Sequence, residues 1–214
     1  MQSKCFYSGF TARARAEWRQ YALAPTAPSN YKDPVKIAQY VDDATAKQEL
    51  LVQRTPLLAR LTSVVLLDAG GNAVFQRAAA DNLVNPVAVP LAKFLMDEFP
   101  DGLEQQPGGM GSPLIGFDAK TLLRLMAFDI FSYNRTNPAD AVQLPINLWY
   151  STAAVDPYEA LIRGDDRKDL DLGSLCDFFG LTMTDDIADN PTRQAGLARE
   201  LSSAAFFDLV TVEV

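Results

Sequence analysis

Four aspartates stand where strands or helices are expected to begin or end: Asp68, Asp118, Asp156 and Asp208. Carboxylates gathered from several strand ends are how proteins hold Mg²⁺ or Mn²⁺, hard cations that take oxygen ligands. A pair of such ions can clamp the attacking and leaving oxygens of phosphodiester hydrolysis. Asp118 closes the short apolar run Pro113–Phe117 and leads directly into a helical pattern, and Asp156, followed by Pro157, opens another. Asp118, Asp156 and Asp208 are the candidates for a catalytic role, and Asp68 joins them as a candidate metal ligand. An acid at a helix start serves equally well as a cap, accepting hydrogen bonds from the free N–H groups of the first turn.

Residue types exclude most other chemistries. The chain contains no His, so it has no Ser-His-Asp or Cys-His nucleophile pair and no His-ligated zinc. Cys5 and Cys176 are its 2 cysteines, too few for a Cys-cluster metal site. Cys176 shares an apolar face with Leu172, Leu175 and Phe179 and reads as a core thiol. Gly108-Gly109-Met110-Gly111 lacks the Gly-Lys-Ser/Thr of a phosphate loop and precedes a strand where such a loop needs a helix. The run Asp165, Asp166, Asp169, Asp171 lacks the turn Gly and closing Glu of a calcium loop. Chemistry here runs on carboxylates, Lys, Tyr, Ser or Thr, or is absent.

With 27 Asp+Glu against 19 Lys+Arg and a net charge of −8, the chain lacks the basic surplus of proteins drawn mainly to phosphate. Its acidity reads as solubility. At 214 residues and 48% hydrophobic, the expectation is one domain over residues 1–214, with a core that needs neither metal nor disulfide. No apolar run approaches the ~20 residues of a membrane span. Residues 1–10 have no signal-length apolar stretch, and two cysteines without an export signal suit a reducing cytoplasm.

The elements that must position these acids follow from periodicity and punctuation. Lys4–Phe10 suits a strand, and Thr11–Tyr21 is expected to be a short helix. Asp33-Pro34 caps a helix running to about Arg54, with Ile37, Tyr40, Val41 and Ala44 at helical spacing. Leu61–Asp68, a glycine turn and Ala73–Phe75 form a hairpin. Val89–Phe99 is a helix, and residues 101–113 form a surface loop. Pro113–Asp118 is a short strand and Ala119–Phe131 an apolar helix. Leu144–Ser151 is a strand, Asp156–Ile162 a short helix, 164–171 a charged loop, and Leu172–Leu181 a helix closed by Gly180. Thr192–Leu209 is helical, and the last five residues, VTVEV, form an extended tail or edge strand. Interleaved strands and helices with an early hairpin point to a mixed α/β sheet.

Three segments, in this order, resemble one family. Ala27–Ile37 (APSNYKDPVKI), leading into a helix and hairpin, is similar to the opening of phage-type 3′–5′ exonucleases of the DnaQ-like, ribonuclease-H-fold group, close to the proofreading domains of family B polymerases. Pro113–Asp118 is similar to the strand that carries the family's second motif, and Leu170–Leu181 to its late SLDxLCxxFGL helix. The resemblance implies a ribonuclease-H-like mixed β-sheet flanked by helices. It also implies an Asp-x-Glu pair on the first strand, which here falls near Tyr7 and Gly9. Asp118 stands at the family's Asn position, and Lys120-Thr121-Leu122-Leu123 replaces the Phe-Asp that supplies a ligand. The last helix carries Glu200 and Asp208 but no Tyr or His to orient a water.

Three readings follow. The first is a catalytically degenerate exonuclease-like protein retained for binding or assembly in a phage or prophage setting, located in the host cytoplasm. It needs no cofactor, and its partner is a protein or a single-stranded nucleic acid. The second is an active nuclease that holds Mg²⁺ or Mn²⁺ through Asp68, Asp118, Asp156 and Asp208. The third is an acidic module that mimics nucleic acid or meets a basic partner.

Overall fold

Strand β2, Ala59–Leu67, is alternately buried and exposed at its start and continuously buried from Val64 to Leu67. That switch marks a strand covered on both faces at one end. In the computed structural model, which describes residues 5–15, 25–54, 58–79, 87–98, 114–117, 119–143, 154–155, 180–182 and 187–211, β2 lies inside a five-stranded sheet. Its neighbours are β1 (Phe6–Ala14) and β3 (Ala73–Ala78), both antiparallel to it. Two short strands, β4 (Leu114–Gly116) and β5 (Ala154–Val155), extend the sheet parallel to β1, giving the order β3-β2-β1-β4-β5. The fold is α/β with a mixed sheet.

The helices divide between the two faces. Helices α2 (Ala88–Glu98) and α3 (Ala119–Thr136) pack on one. Leu91, Leu95, Leu122, Leu125, Met126 and Ile130 meet Phe6, Val64 and Leu66 there in the main core, and the Phe94 ring packs at a tilt with its centroid 5.7 Å from that of Phe6 and 5.2 Å from that of Phe75. Pro90 sits in the first turn of α2, where no intrahelical N–H is required of it. Helix α4 (Pro191–Thr211) covers the other face, where Ala195 packs on Val65, Leu67 and Tyr7. Helix α1 (Pro34–Arg54) links β1 to β2. It starts as the sequence predicts, the Asp33 carboxylate accepting the Val35 N–H at 2.9 Å.

The structure differs from expectation at several points. Residues 11–14 continue β1 and do not begin a helix. Thr-Ala-Arg-Ala alternates with period two, so Ala12 packs toward the core while Arg13 is exposed. Helix α3 runs five residues past Phe131, and its end is fixed by Asn134, whose amide donates to the Val142 carbonyl and accepts its N–H, both at 2.8 Å. Val210 and Thr211 belong to α4, so the expected terminal strand starts within a helix. Gly180 has φ +65°, the conformation of a helix-closing residue. The strand expected at 144–151, the helices expected at 156–162 and 172–179 and the loops at 101–113 and 164–171 lie outside the described residues.

Among the described residues, one charged side chain is buried against the main core. Asp129 lies on the apolar stripe of α3 and is 1% exposed. Its Oδ1 accepts from Arg15 at 2.5 Å and its Oδ2 from the Leu61 N–H at 3.0 Å. The carboxylate thus ties the end of β1 and the start of β2 to α3. Arg15 also lies over the Phe128 ring, 5.4 Å from its centroid. Removing one partner of a buried pair strands the other, which typically costs 3–5 kcal/mol. Asp129→Ala is therefore expected to lower unfolding stability by about 3 kcal/mol in urea denaturation.

Burial raises the Asp129 pKa above the ordinary 3.8, outweighing the opposing pull of the Leu61 N–H and Arg15. The folded protein then holds this proton more tightly than the unfolded chain, so the contribution is most favourable below about pH 3.8 and is lost as pH rises through the folded value. Urea midpoints across this range are expected to show the wild-type advantage over Asp129→Asn shrinking as pH rises.

Candidate functional site

The site that carboxylates at strand ends would form lies where β1, the C-terminal end of β4 and the first turn of α4 meet. Along β1, Phe6, Ser8 and Phe10 face the α2–α3 side, and Tyr7 and Gly9 face α4. Ser8 is buried and donates to the Ile115 carbonyl of β4 at 3.1 Å. Its hydroxyl occupies the space that a Cβ on Gly116, its partner across the β1–β4 pair, would need. On the α4 side, a Cβ on Gly9 would overlap the Pro191 carbonyl oxygen and come within 2.8 Å of the Gln194 Cβ. Both glycines are therefore positions of close approach, one between strands and one between strand and helix.

Hydrogen bonds hold α4 in that seat. Asn190 caps the helix, its Oδ1 accepting the Arg193 N–H at 3.1 Å, and Pro191 fills the first position. Gln194 accepts the Phe10 N–H at 3.0 Å and donates to the Ile187 carbonyl at 2.9 Å. One side chain thus joins β1, α4 and the short helical turn Ile187–Asp189. Further along, Tyr7 is half-buried and hydrogen-bonded to Cys5 and Ser202. Burial raises its phenol pKa, and burial likewise pushes the Cys5 thiol up, leaving it a poor nucleophile.

Asp68 lies just past Leu67, which pairs with Tyr7, at the end of the β1–β2 ribbon where β1 begins. Its carboxylate accepts the Asn72 N–H at 2.8 Å and the Asn72 amide at 3.1 Å, and its backbone closes the turn with Asn72 and Gly71. The Asn72 bonds hold its pKa below the usual carboxylate value. Gly71 takes φ +85°, which the turn requires and which favours glycine. Asp68 is thus a turn-closing residue. Asp118 and Asp156 lie outside the described residues, and of Asp208 only the backbone position in α4 is described. Among the described residues, no three acidic, Cys or His side chains are grouped to hold a metal ion.

Tyr7 and Gly9, the positions the exonuclease resemblance assigns to metal-binding acids, do not fit a metal pair. Tyr7 is committed to packing and hydrogen bonds on α4, and Gly9 has no room for a side chain. Sequence reading takes these two residue types as poor ligands and does not foresee the closure by α4. A single Gly inside a strand pattern was the available signal. No protein-family model matches the chain, and neither a curated protein nor a solved structure is found to be similar to it.

Any side chain at position 9 must displace α4. Gly9→Ala is expected to destabilise the protein by ~1–3 kcal/mol, the usual cost of overpacking. Gly9→Asp is expected to cost at least as much and to create no site for Mn²⁺, both readable by thermal unfolding with and without the ion.

Proposed function

We propose that this chain is an exonuclease-like protein of DNA metabolism, from a phage or prophage setting, that has lost its metal site and serves binding or assembly. What it holds, on this reading, is a protein partner or a single-stranded nucleic acid, and no resident cofactor takes part. The observation that carries the proposal is the closure at Gly9: the first turn of α4 fills the space in front of β1 where a ligating carboxylate would stand. A two-metal mechanism needs oxygens converging on both ions, and none can reach from this strand position.

Further support comes from the sheet. Its order, β3-β2-β1-β4-β5, with an antiparallel meander followed by strands parallel to β1, is compatible with a ribonuclease-H-like fold. The patches of Ala27–Ile37, Pro113–Asp118 and Leu170–Leu181 supply the link to exonucleases. Asp68 is held within its own turn, which argues against its joining Asp118, Asp156 and Asp208 around a relocated metal pair.

Purified protein incubated with single-stranded or duplex DNA and Mg²⁺ or Mn²⁺ is expected to leave both substrates intact. Digestion that a chelator abolishes overturns the proposal.

A further inference from the structure

We propose that the outer face of α3 docks single-stranded nucleic acid, with Phe131 stacking on a base and Arg124 and Arg135 holding phosphates to either side. This deepens the binding role proposed above and rests on it. The inner face of α3 belongs to the core: Leu122, Leu125, Met126 and Ile130 are buried there, and so is Asp129, the one acid of the helix. On the outer face Arg124, Phe128, Phe131 and Arg135 follow at steps of four, three and four residues, which sets them in one line along the helix. Arg124, Phe131 and Arg135 are exposed, and Phe131, at 64%, is more exposed than any other aromatic side chain among the described residues. The Phe128 ring is half-buried and lies under the Arg15 guanidinium, so Phe131 is the ring of this line left open to a ligand.

The charge of this face has one sign. Lys120, Arg124 and Arg135 are the exposed charged residues of α3, in a chain whose net charge is −8. Among the described residues, no ion pair or side-chain hydrogen bond engages Arg124 or Arg135. At the helical rise the two arginines stand about 16 Å apart along the axis, with the ring about 10 Å from the first and about 6 Å from the second. Charge and ring together select the partner. An acidic peptide would satisfy the arginines and leave Phe131 in water. A membrane surface calls for a broad apolar face, of which one ring is too little. In a duplex each base already stacks on its neighbours. An unpaired strand offers phosphates and open base faces together, and stacking on an aromatic ring tolerates any base. Guanidinium forks hold phosphate without reading sequence, so the surface is expected to be indifferent to it.

The test is fluorescence anisotropy with a labelled oligothymidylate of about 12 nucleotides, within the range of single-strand sites. It is run in chelator so that cleavage plays no part. The wild-type chain is expected to bind, with log K falling against log salt at a slope of about −1.4 or steeper, as two phosphate contacts on a single strand require. Phe131→Ala is expected to weaken binding at least about fivefold, the lower end of what one lost base stack costs, and to leave the slope unchanged, while Phe131→Tyr stays within about twofold of wild type. Arg124→Gln/Arg135→Gln is expected to weaken binding at least about tenfold in low salt and to flatten the slope. Lys36→Gln/Lys47→Gln removes the same charge from exposed positions on α1 and is expected to change affinity less than about twofold.

Absence of wild-type binding overturns the docking surface, as does a flat salt dependence of the wild-type chain. Wild-type affinity in Phe131→Ala overturns it too, leaving a face that takes anions such as an acidic peptide without stacking. Equal losses in the two double variants, or a duplex of the same length competing better than the single strand, also overturn it. Digestion of the bound oligonucleotide on adding Mn²⁺ contradicts the loss of activity proposed above and leaves the docking surface standing.

Discussion

The absence of a side chain at Gly9 is the constraint on which this architecture turns. Because β1 presents bare backbone there, the first turn of α4 can sit directly on the strand, with the Pro191 carbonyl in the space a Cβ would fill. Once seated, the helix is held by Gln194 bridging the Phe10 N–H and the Ile187 carbonyl. Its next turns then bring Ala195 onto Val65 and Leu67, and Arg199 to the Ala69 carbonyl in the hairpin turn at 3.4 Å. Packing at one glycine therefore sets the position of a whole helix and, with it, what the sheet can offer a ligand. At Gly9, inside β1, the strand is a structural joint that meets α4 directly through its backbone.

The two faces of the sheet solve different problems. On the α2–α3 side the stabilisation is mostly apolar area, and buried Leu, Ile, Met and Phe side chains form one continuous cluster. Within it, Asp129 adds direction to what would otherwise be non-directional packing. Its carboxylate accepts from Arg15 and from the Leu61 N–H, which ties the end of β1, the start of β2 and α3 to one another. On the α4 side fewer residues are buried in the described part, and hydrogen bonds and close backbone approach carry more of the registration. Further along the β1–β2 ribbon the register shift after Thr11 brings the Thr11, Thr62 and Ser63 hydroxyls together.

Much of the scaffold was legible because local signals agreed with the fold. Asp33-Pro34 announces α1, the glycine turn between two β-branched runs announces the hairpin, and the spacing of apolar residues announces α2, α3 and α4. Where reading failed, a weaker pattern lost to a stronger one. The Ala- and Arg-rich run after Thr11 has helix-forming composition, yet its period of two belongs to a strand, and residues 11–14 continue β1. Val210 and Thr211 have β-branched side chains yet continue α4, a case of helical continuity overriding local propensity.

The site was only partly legible. The resemblance marks Tyr7 and Gly9 as unsuited to a metal, but closure by α4 depends on contacts some 180 residues apart, which composition and spacing do not encode. Asp129 could have been found, since an acid at core spacing between Met126 and Ile130 is out of place on an apolar stripe.

The central claim is that the strand tips of this sheet hold no pair of divalent cations. Titration calorimetry of the purified protein with Mn²⁺ reads that claim without reference to any substrate. Heats no larger than those of dilution are the predicted result; a saturable isotherm with two ions per chain at micromolar affinity would contradict it.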